Sequence, residues 1–128
     1  MHTVHVVYDG ADLEAIARAI GISPSEIARR HAARDYTVEL VGFLPGFGYL
    51  SQLDPALVVP RRSAPRPRVP AGSVAIAGRY TGVYPLPSPG GWNLIGRVVD
   101  WAPFDPARDP PAILRPGDIV RFREHDAD

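Results

Sequence analysis

Residues 42–50 read Gly-Phe-Leu-Pro-Gly-Phe-Gly-Tyr-Leu and combine residue types that suit the lip of a ligand pocket. Glycines permit positive φ or the close approach of another group, while Pro45 fixes φ and lacks an N–H donor. Phe43, Phe47 and Tyr49 offer flat apolar walls. A tight turn with its aromatic side chains in the core explains the same run, and the run taken alone favours that explanation. Two later segments shift the balance towards a pocket.

The first of these segments is rich in arginine and proline and contains no acidic residue. Its prolines favour an extended path, which lowers the entropic cost of holding guanidinium groups in place. Guanidinium groups bind phosphate or carboxylate through paired hydrogen bonds, and they also pair with acids on a partner chain. A solvated basic loop is an equally acceptable interpretation. The arginines concerned are Arg61, Arg62, Arg66 and Arg68.

The second segment, residues 88–92, reads Ser-Pro-Gly-Gly-Trp. The backbones of Gly90 and Gly91 can direct successive N–H groups at one anion, and Trp92 can shield an apolar face. A hairpin turn followed by a core tryptophan accounts for the same residues, and the segment alone slightly favours it. Residues 78–85 form a comparable turn with polar side chains.

Missing residue types exclude several kinds of chemistry. The chain has no cysteine, which excludes disulfides, a thiol nucleophile and cysteine-based metal sites. All 14 basic residues are arginine, so there is no lysine for a Walker A motif, a Schiff base or covalent attachment of a cofactor such as biotin. The formal net charge is zero, which argues against nucleic acid or anionic membranes as partners.

Histidine spacing gives no pattern typical of metal ligands, so no metal site is expected. His31 falls near the end of a predicted helix, where a cationic imidazole would interact favourably with the helix dipole. The same side chain could act as an acid or base near neutral pH.

The elements that position these segments begin with a predicted β-branched strand over residues 3–8. Apolar residues with helical spacing over 13–20 predict a short helix that Gly21 ends. Ser23 as N-cap, proline at the first helical position and Glu26 at the third predict a second helix with a capping box.

That second helix is expected to end at about residues 31–33, and an alternating strand over 36–44 then leads into the aromatic run. Beyond residue 50, short apolar pieces separated by prolines and glycines predict the strands of a small barrel or sandwich. Residues 125–128 are expected to form a terminal tail. The N-terminus lacks a signal peptide and no run is long enough to cross a bilayer, which predicts a soluble cytoplasmic protein of one domain.

Five motifs, in this order along the chain, closely resemble one family. They are GFLPGFGYL at 42–50, PRR at 60–62 with PR at 65–66, VPAGSVAIAG at 69–78, TGVYP at 81–85 and SPGGW at 88–92. With these motifs the chain resembles the KipI/PxpB family, whose members are the B subunit of the bacterial ATP-dependent 5-oxoprolinase, also called allophanate hydrolase subunit 1. The resemblance extends from about Val4 to Phe122.

The resemblance implies a mainly β chain with two short helices (α+β), folded as one cyclophilin-like β-barrel domain over residues 1–128, without the family's smaller N-terminal lobe. It also implies ATP as a substrate and the opening of 5-oxo-L-proline to L-glutamate. The implied partners are a sister subunit of the KipA/PxpC type and a third subunit of the PxpA type. Alternatives within the resemblance are a regulatory domain, such as a histidine-kinase inhibitor, and a carboxyltransferase component of a urea carboxylase or allophanate system.

By this resemblance the motif residues surround one cleft. Arg61 and Arg66 are expected to contact anions, Gly90 and Gly91 to offer backbone donors, and His31 and Arg66 to take part in catalysis. Tyr80 stands where the family motif has glutamine, which replaces an amide by a phenol. The residues expected around the cleft are Phe43, Pro45, Gly46, Phe47, Tyr49, Arg61, Arg66, Tyr80, Gly90, Gly91 and Trp92.

Overall fold

The structure, a computed structural model, describes residues 1–126 and consists mainly of short strands, with two α-helices in the first quarter of the chain. Among these residues, no helix has the combined length and apolar character needed to span a membrane. The elements are β1 (His2–Val7), α1 (Leu13–Ile20), α2 (Pro24–Ala32), β2 (Asp35–Val41), β3 (Gly48–Ser51), β4 (Arg66–Val69), β5 (Ser73–Ala77), β6 (Tyr80–Val83), β7 (Ser88–Gly90), β8 (Asn93–Val99) and β9 (Ile119–Glu124), with a 3₁₀ turn at Pro55–Leu57.

Seven of the described strands close into a barrel in the order β1-β8-β5-β6-β3-β2-β9. Neighbouring strands are antiparallel, except that β1 and β9 run parallel where they complete the ring. Strands β4 and β7 form a separate two-stranded sheet, the β4–β7 ribbon. The predicted mainly β chain with two helices and a barrel is therefore confirmed.

Both helices form where the sequence places them. Gly21 ends α1 with φ of 72°, a left-handed conformation that glycine adopts without steric cost. The Ser23 hydroxyl accepts a hydrogen bond from the Glu26 N–H at 3.1 Å, as expected for an N-cap. The Glu26 carboxylate accepts hydrogen bonds from Arg29 and Arg30, so its contacts lie along the helix and not back at the cap as a capping box predicts.

The strand predicted over 36–44 is shorter and less regular than its alternation suggests. Tyr36 and Val38 are buried, but Leu40 is 44% exposed. A β-bulge between Val38 and Leu40 interrupts the register with β3, so the residues beyond it no longer follow the alternation. Of the short apolar pieces beyond residue 50 that predict strands, those at 58–59 and 113–114 are loops with isolated bridges nearby, whereas those at 92–95 and 98–99 fall largely within the single strand β8.

Two apolar clusters hold the fold together. The larger one fills the barrel and includes Tyr36, Phe122 and Ile27 of α2. The smaller one lies at one side, where Val69 of β4 joins the barrel residues to the ribbon. At the chain end the His125 N–H donates to the Val6 carbonyl, and the last part of the expected tail, residues 127–128, lies outside the described residues.

His31 is fully buried in the larger cluster, which corrects the expectation that its charge interacts with the helix dipole. Its Nδ1 lies 2.7 Å from the Tyr8 hydroxyl and its Nε2 lies 2.9 Å from Thr81 Oγ1. Because the Thr81 hydroxyl donates to the Ala75 carbonyl, we assign the proton to Nε2 and the acceptor role to Nδ1. Burial lowers the pKa of His31 to about 3, so the imidazole is neutral at physiological pH.

We predict that this buried imidazole makes the protein less stable in mild acid. The unfolded chain, with an ordinary histidine pKa of 6.5, binds a proton that the native chain excludes until the pH approaches 3. The free energy of unfolding should therefore fall as pH drops through this window, by about 1.4 kcal/mol per pH unit once the unfolded imidazole is charged. Urea unfolding at a series of pH values measures the slope.

His31→Gln should remove that slope while lowering stability at pH 7, because glutamine does not titrate and fits the two hydrogen bonds less well. His5→Gln, which alters an exposed side chain of β1, should keep the slope. An unchanged slope in His31→Gln would show that another group is responsible.

Candidate functional site

Three segments that are separated in sequence meet beside the barrel and enclose a hollow of about 190 Å³. The loop after β2 and the start of β3 form one side, the segment before β4 forms the second, and β7 with the residues after it forms the third. Tyr84, just after β6, completes the lining. We call this cavity the aromatic hollow. Its lining residues are Phe43, Tyr49, Arg61, Pro65, Tyr84, Pro89, Gly90, Gly91 and Trp92.

The aromatic walls are held in place by Phe47, which is buried behind them. The centroid of its ring lies 5.2 Å from those of Trp92 and Tyr49 and 5.6 Å from that of Phe43, each at a near-perpendicular angle. Edge-to-face contacts of this kind fix the relative orientation of the rings. Phe47 therefore supports the hollow without lining it, and Trp92 is both a core residue and a wall of the hollow.

Gly90 is a glycine because Tyr84 occupies the space that a side chain would need. A Cβ atom added at Gly90 would lie 2.3 Å from the Tyr84 hydroxyl oxygen, well inside van der Waals contact. Burial raises the pKa of Tyr84, so its hydroxyl keeps its proton at neutral pH. The neighbouring Gly91 is anchored through its carbonyl, which accepts a hydrogen bond from the Arg62 N–H at 2.8 Å.

Positive charge in the lining of the aromatic hollow comes from Arg61, whose side chain is exposed at the rim. A guanidinium group there can pair with an anionic group of a ligand whose apolar part lies against the aromatic walls. The arrangement thus suits a small compound with one flat apolar part and one negative charge.

Arg66 is directed away from this hollow and towards Asp12, 54 residues earlier in the chain. Its two terminal nitrogens donate to the two carboxylate oxygens at 2.5 and 2.9 Å. The same carboxylate accepts a hydrogen bond from the Leu94 N–H at 2.7 Å, and Arg62 Nε lies 3.5 Å from it. Burial alone would raise the pKa of Asp12, but the hydrogen bonds from Arg66 and Leu94 outweigh it and lower the pKa. Arg66 thus has an acid of its own chain as its partner, and its role as an anion contact stays a prediction.

Several other predicted site residues lie outside the aromatic hollow. Pro45 and Gly46 belong to the turn before Phe47, and Gly46 packs against residues 103–104. The partly buried Tyr80 ring lies 5.5 Å from that of Tyr49, and its hydroxyl contacts the Glu39 carboxylate and Arg79. His31 lies in the barrel core, where burial opposes proton uptake near neutral pH.

Sequence reasoning missed three kinds of residue at the site. Tyr84 belongs to the predicted turn over residues 78–85 and to the TGVYP motif, but it is not among the residues expected around the cleft, although it lines the hollow. Pro65 of the arginine-rich segment and Pro89 of the segment 88–92 are not among the residues expected around the cleft, yet both form part of the lining. Asp12 is in none of the segments singled out in the sequence; its side chain makes no capping hydrogen bond at the start of α1 and pairs with Arg66 instead. Within residues 1–126, no group of three or more His, Asp or Glu side chains is placed to hold a metal ion.

Comparison with protein families gives one match over most of the chain. Residues 1–114 match the carboxyltransferase domain, subdomain C and D. The chain is 52% identical to the B subunit of 5-oxoprolinase from Escherichia coli O157:H7 over 122 residues, which is 93% of this chain and 56% of that protein. It is 49% identical to the B subunit of 5-oxoprolinase from Bacillus subtilis over 113 residues, 88% of this chain and 47% of that protein. The chain therefore spans about half the length of these curated relatives.

Solved structures share the same fold. The crystal structure of TTHA0988 superposes with a TM-score of 0.94 at 49% identity, covering 99% of this chain and 26% of that chain. The conserved uncharacterized protein PH0987 from Pyrococcus horikoshii gives a TM-score of 0.91 at 43% identity, covering 98% of this chain and 59% of that chain. The urea amidolyase of K. lactis gives 0.82 at 20% identity, covering 97% of this chain and 9% of that chain, a likeness of fold alone.

We predict that Asp12 and Arg66 stabilise the fold as a pair. Arg66→Ala should lower the free energy of unfolding by about 1–3 kcal/mol, because it leaves the charged Asp12 carboxylate, which is largely buried, without two of its hydrogen-bond donors. Replacing an arginine that only contacted a ligand would leave the free energy of unfolding unchanged. Asp12→Ala should cost at least as much, since it also leaves the buried Leu94 N–H without its acceptor. The double variant should be less destabilised than the sum of the two single variants, and additivity in urea unfolding would contradict the pairing.

We also predict that two adjacent glycines of the site differ in their tolerance of a methyl group. Gly90→Ala should destabilise the protein by about 1–3 kcal/mol, because the added carbon overlaps the Tyr84 hydroxyl. Gly91→Ala is the matched control, since its nearest neighbour would be Pro65 Cβ at 3.9 Å, and it should stay within about 0.5 kcal/mol. Denaturation midpoints measure both, and equal effects would contradict the observed packing.

Proposed function

The chain belongs to the carboxyltransferase domain family, subdomain C and D, and on that premise we propose that it acts as part of the B subunit of an ATP-dependent 5-oxoprolinase. The observation that carries the proposal is the 52% identity to a 5-oxoprolinase B subunit over 93% of this chain. The three segments that enclose the aromatic hollow lie in the middle of the chain, well inside the matched part.

The proposed reaction opens the five-membered lactam of 5-oxo-L-proline to L-glutamate. An amide resists water because resonance stabilises it, so transfer of the γ-phosphoryl group of ATP to the lactam oxygen, with release of ADP, would activate the carbonyl carbon. Water then adds to that carbon, and the C–N bond breaks with its electron pair and a proton going to nitrogen. A second water releases phosphate from the resulting acyl phosphate. Two waters and one ATP are therefore consumed for each glutamate formed.

In this proposal the aromatic hollow holds the lactam. The volume of this hollow is about 190 Å³. Sites for drug-sized ligands typically measure about 300–1,000 Å³, so the hollow suits a smaller compound with a single ring. The rings of Trp92 and Tyr49 would cover the apolar face of the lactam, and Arg61 would pair with its carboxylate. Walls of this kind also exclude water until the carbonyl has been activated.

We further propose that the chain works within a complex. Its relatives are named as subunits, and the chain spans about half their length. A sister subunit of the KipA/PxpC type and a third subunit of the PxpA type are the partners that we expect to supply the remaining groups of the site. The cytoplasm, where ATP is plentiful, is the compartment that we propose for this complex.

The test is reconstitution with these partner subunits, followed by measurement of glutamate and inorganic phosphate released from 5-oxoproline and ATP. Arg61→Ala should raise KM for 5-oxoproline about 10- to 100-fold, because a charge-assisted hydrogen bond is worth about 1.5–3 kcal/mol. Its thermal stability should remain that of the parent chain, since the side chain is exposed at the rim.

Arg115→Ala is the control, because it removes one exposed arginine from the turn before β9, away from the residues that line the hollow. It should leave both kinetic constants unchanged. The proposal fails if the complete mixture releases no glutamate, and the placement of the carboxylate fails if Arg61→Ala has the kinetics of the control.

A further inference from the structure

A second cavity, larger than the aromatic hollow, lies between the β1–α1 turn and the start of the β4–β7 ribbon. Its volume is about 410 Å³, and its lining includes Arg66, Arg68, Arg97, Asp9, Ser73 and Leu94. We call it the arginine hollow. The sequence indicates only part of this lining, since Arg66 and Arg68 belong to the arginine-rich segment, whereas Arg97 and the β1–α1 turn lie outside every motif.

The two hollows share the ribbon and its flanking residues as a common wall. Arg66 and Arg68 of β4 line the arginine hollow, whereas Pro65 just before β4 and Gly90 of β7 line the aromatic hollow. Two ligands held in the two cavities would therefore both lie next to this short ribbon.

We propose that the arginine hollow binds the phosphate chain of a nucleotide. The identification of that nucleotide as ATP rests on the proposed function, whereas the site itself rests on the charges and size of the cavity.

Charge is the first argument, because three guanidinium groups and one carboxylate line the cavity, although one of the three, Arg66, is already paired with Asp12. The carboxylate of Asp9 pairs with Arg97 at 3.0 Å, but both side chains are about half exposed, and such pairs are weak and easily exchanged. Arg68 is exposed and has no carboxylate within 4.0 Å among residues 1–126. Arg68 and Arg97 are thus available to a phosphate group, which guanidinium binds through paired hydrogen bonds.

Size and chemical character are the second argument. A volume of about 410 Å³ lies within the range of sites that enclose drug-sized ligands, and it is about twice that of the aromatic hollow. Leu94 and Pro70 add apolar surface beside the arginines, which suits a molecule that joins a charged phosphate chain to a flat base. With no lysine in the chain, the positive charge for phosphate must come from arginine.

The test measures binding of ATP and of inorganic tripolyphosphate to this chain by calorimetry, without partner subunits and without 5-oxoproline. Arg68→Ala and Arg97→Ala should each weaken ATP binding about ten-fold, the effect of losing one charge-assisted contact. Arg115→Ala removes the same charge from an exposed position outside the cavity lining and should change the affinity less than about two-fold. ATP should bind more tightly than tripolyphosphate if the apolar surface holds the base.

Each result decides the inference separately from the enzymatic activity. Equal weakening in all three variants would show diffuse attraction and overturn the site, as would the absence of any ATP binding. If only Arg61→Ala weakened ATP binding, the phosphates would belong in the aromatic hollow, and the proposed site in the arginine hollow would be wrong. Equal affinity for ATP and tripolyphosphate would overturn the nucleotide class. Arginine-dependent ATP binding in a chain that shows no 5-oxoprolinase activity in the complex would uphold the site while the proposed function fails.

Discussion

The carboxylate of Asp12 ties together three parts of the molecule that are far apart in sequence. It lies at the start of α1 and accepts a hydrogen bond from the backbone N–H of Leu94 in β8. It also accepts hydrogen bonds from both terminal nitrogens of Arg66 in β4. A largely buried carboxylate needs all of these donors, because each one offsets the cost of removing its charge from water. The position of the β4–β7 ribbon on the barrel depends on this contact, and the ribbon in turn forms one wall of each hollow.

Apolar packing secures the other side of the same ribbon. Phe47 stands at the centre of the smaller apolar cluster and orients the rings of Tyr49 and Trp92. The hydroxyl of Tyr84 lies against the backbone at Gly90, which leaves no room for a side chain there. One ionic contact and one aromatic cluster thus hold a short, two-stranded sheet that would be marginally stable alone. This double attachment holds the ribbon wall of the aromatic hollow against the barrel.

The barrel itself is a scaffold that tolerates wide changes of sequence. Its strands superpose on part of the K. lactis urea amidolyase with a TM-score of 0.82 although only 20% of the residues are identical. Within this chain, the residues that line the two hollows come from loops, strand ends and the ribbon more than from the barrel interior. Proteins that share a fold commonly differ in function through such peripheral segments. The loops and the ribbon are therefore the parts whose residues bear on the choice of ligand.

The sequence by itself determined the local features of this protein. Ser23 and Gly21 set the ends of the helices, because capping depends on residues only a few positions apart. The aromatic run, Arg61 and Trp92 were singled out by residue type, but only the fold brings them together around the aromatic hollow. The tertiary structure alone decided that Arg66 pairs with Asp12, that His31 is neutral and buried, and that Leu40 turns outward beyond a bulge. Each of these depends on which strands lie side by side and how much water they exclude, and no pattern of neighbouring residues specifies that.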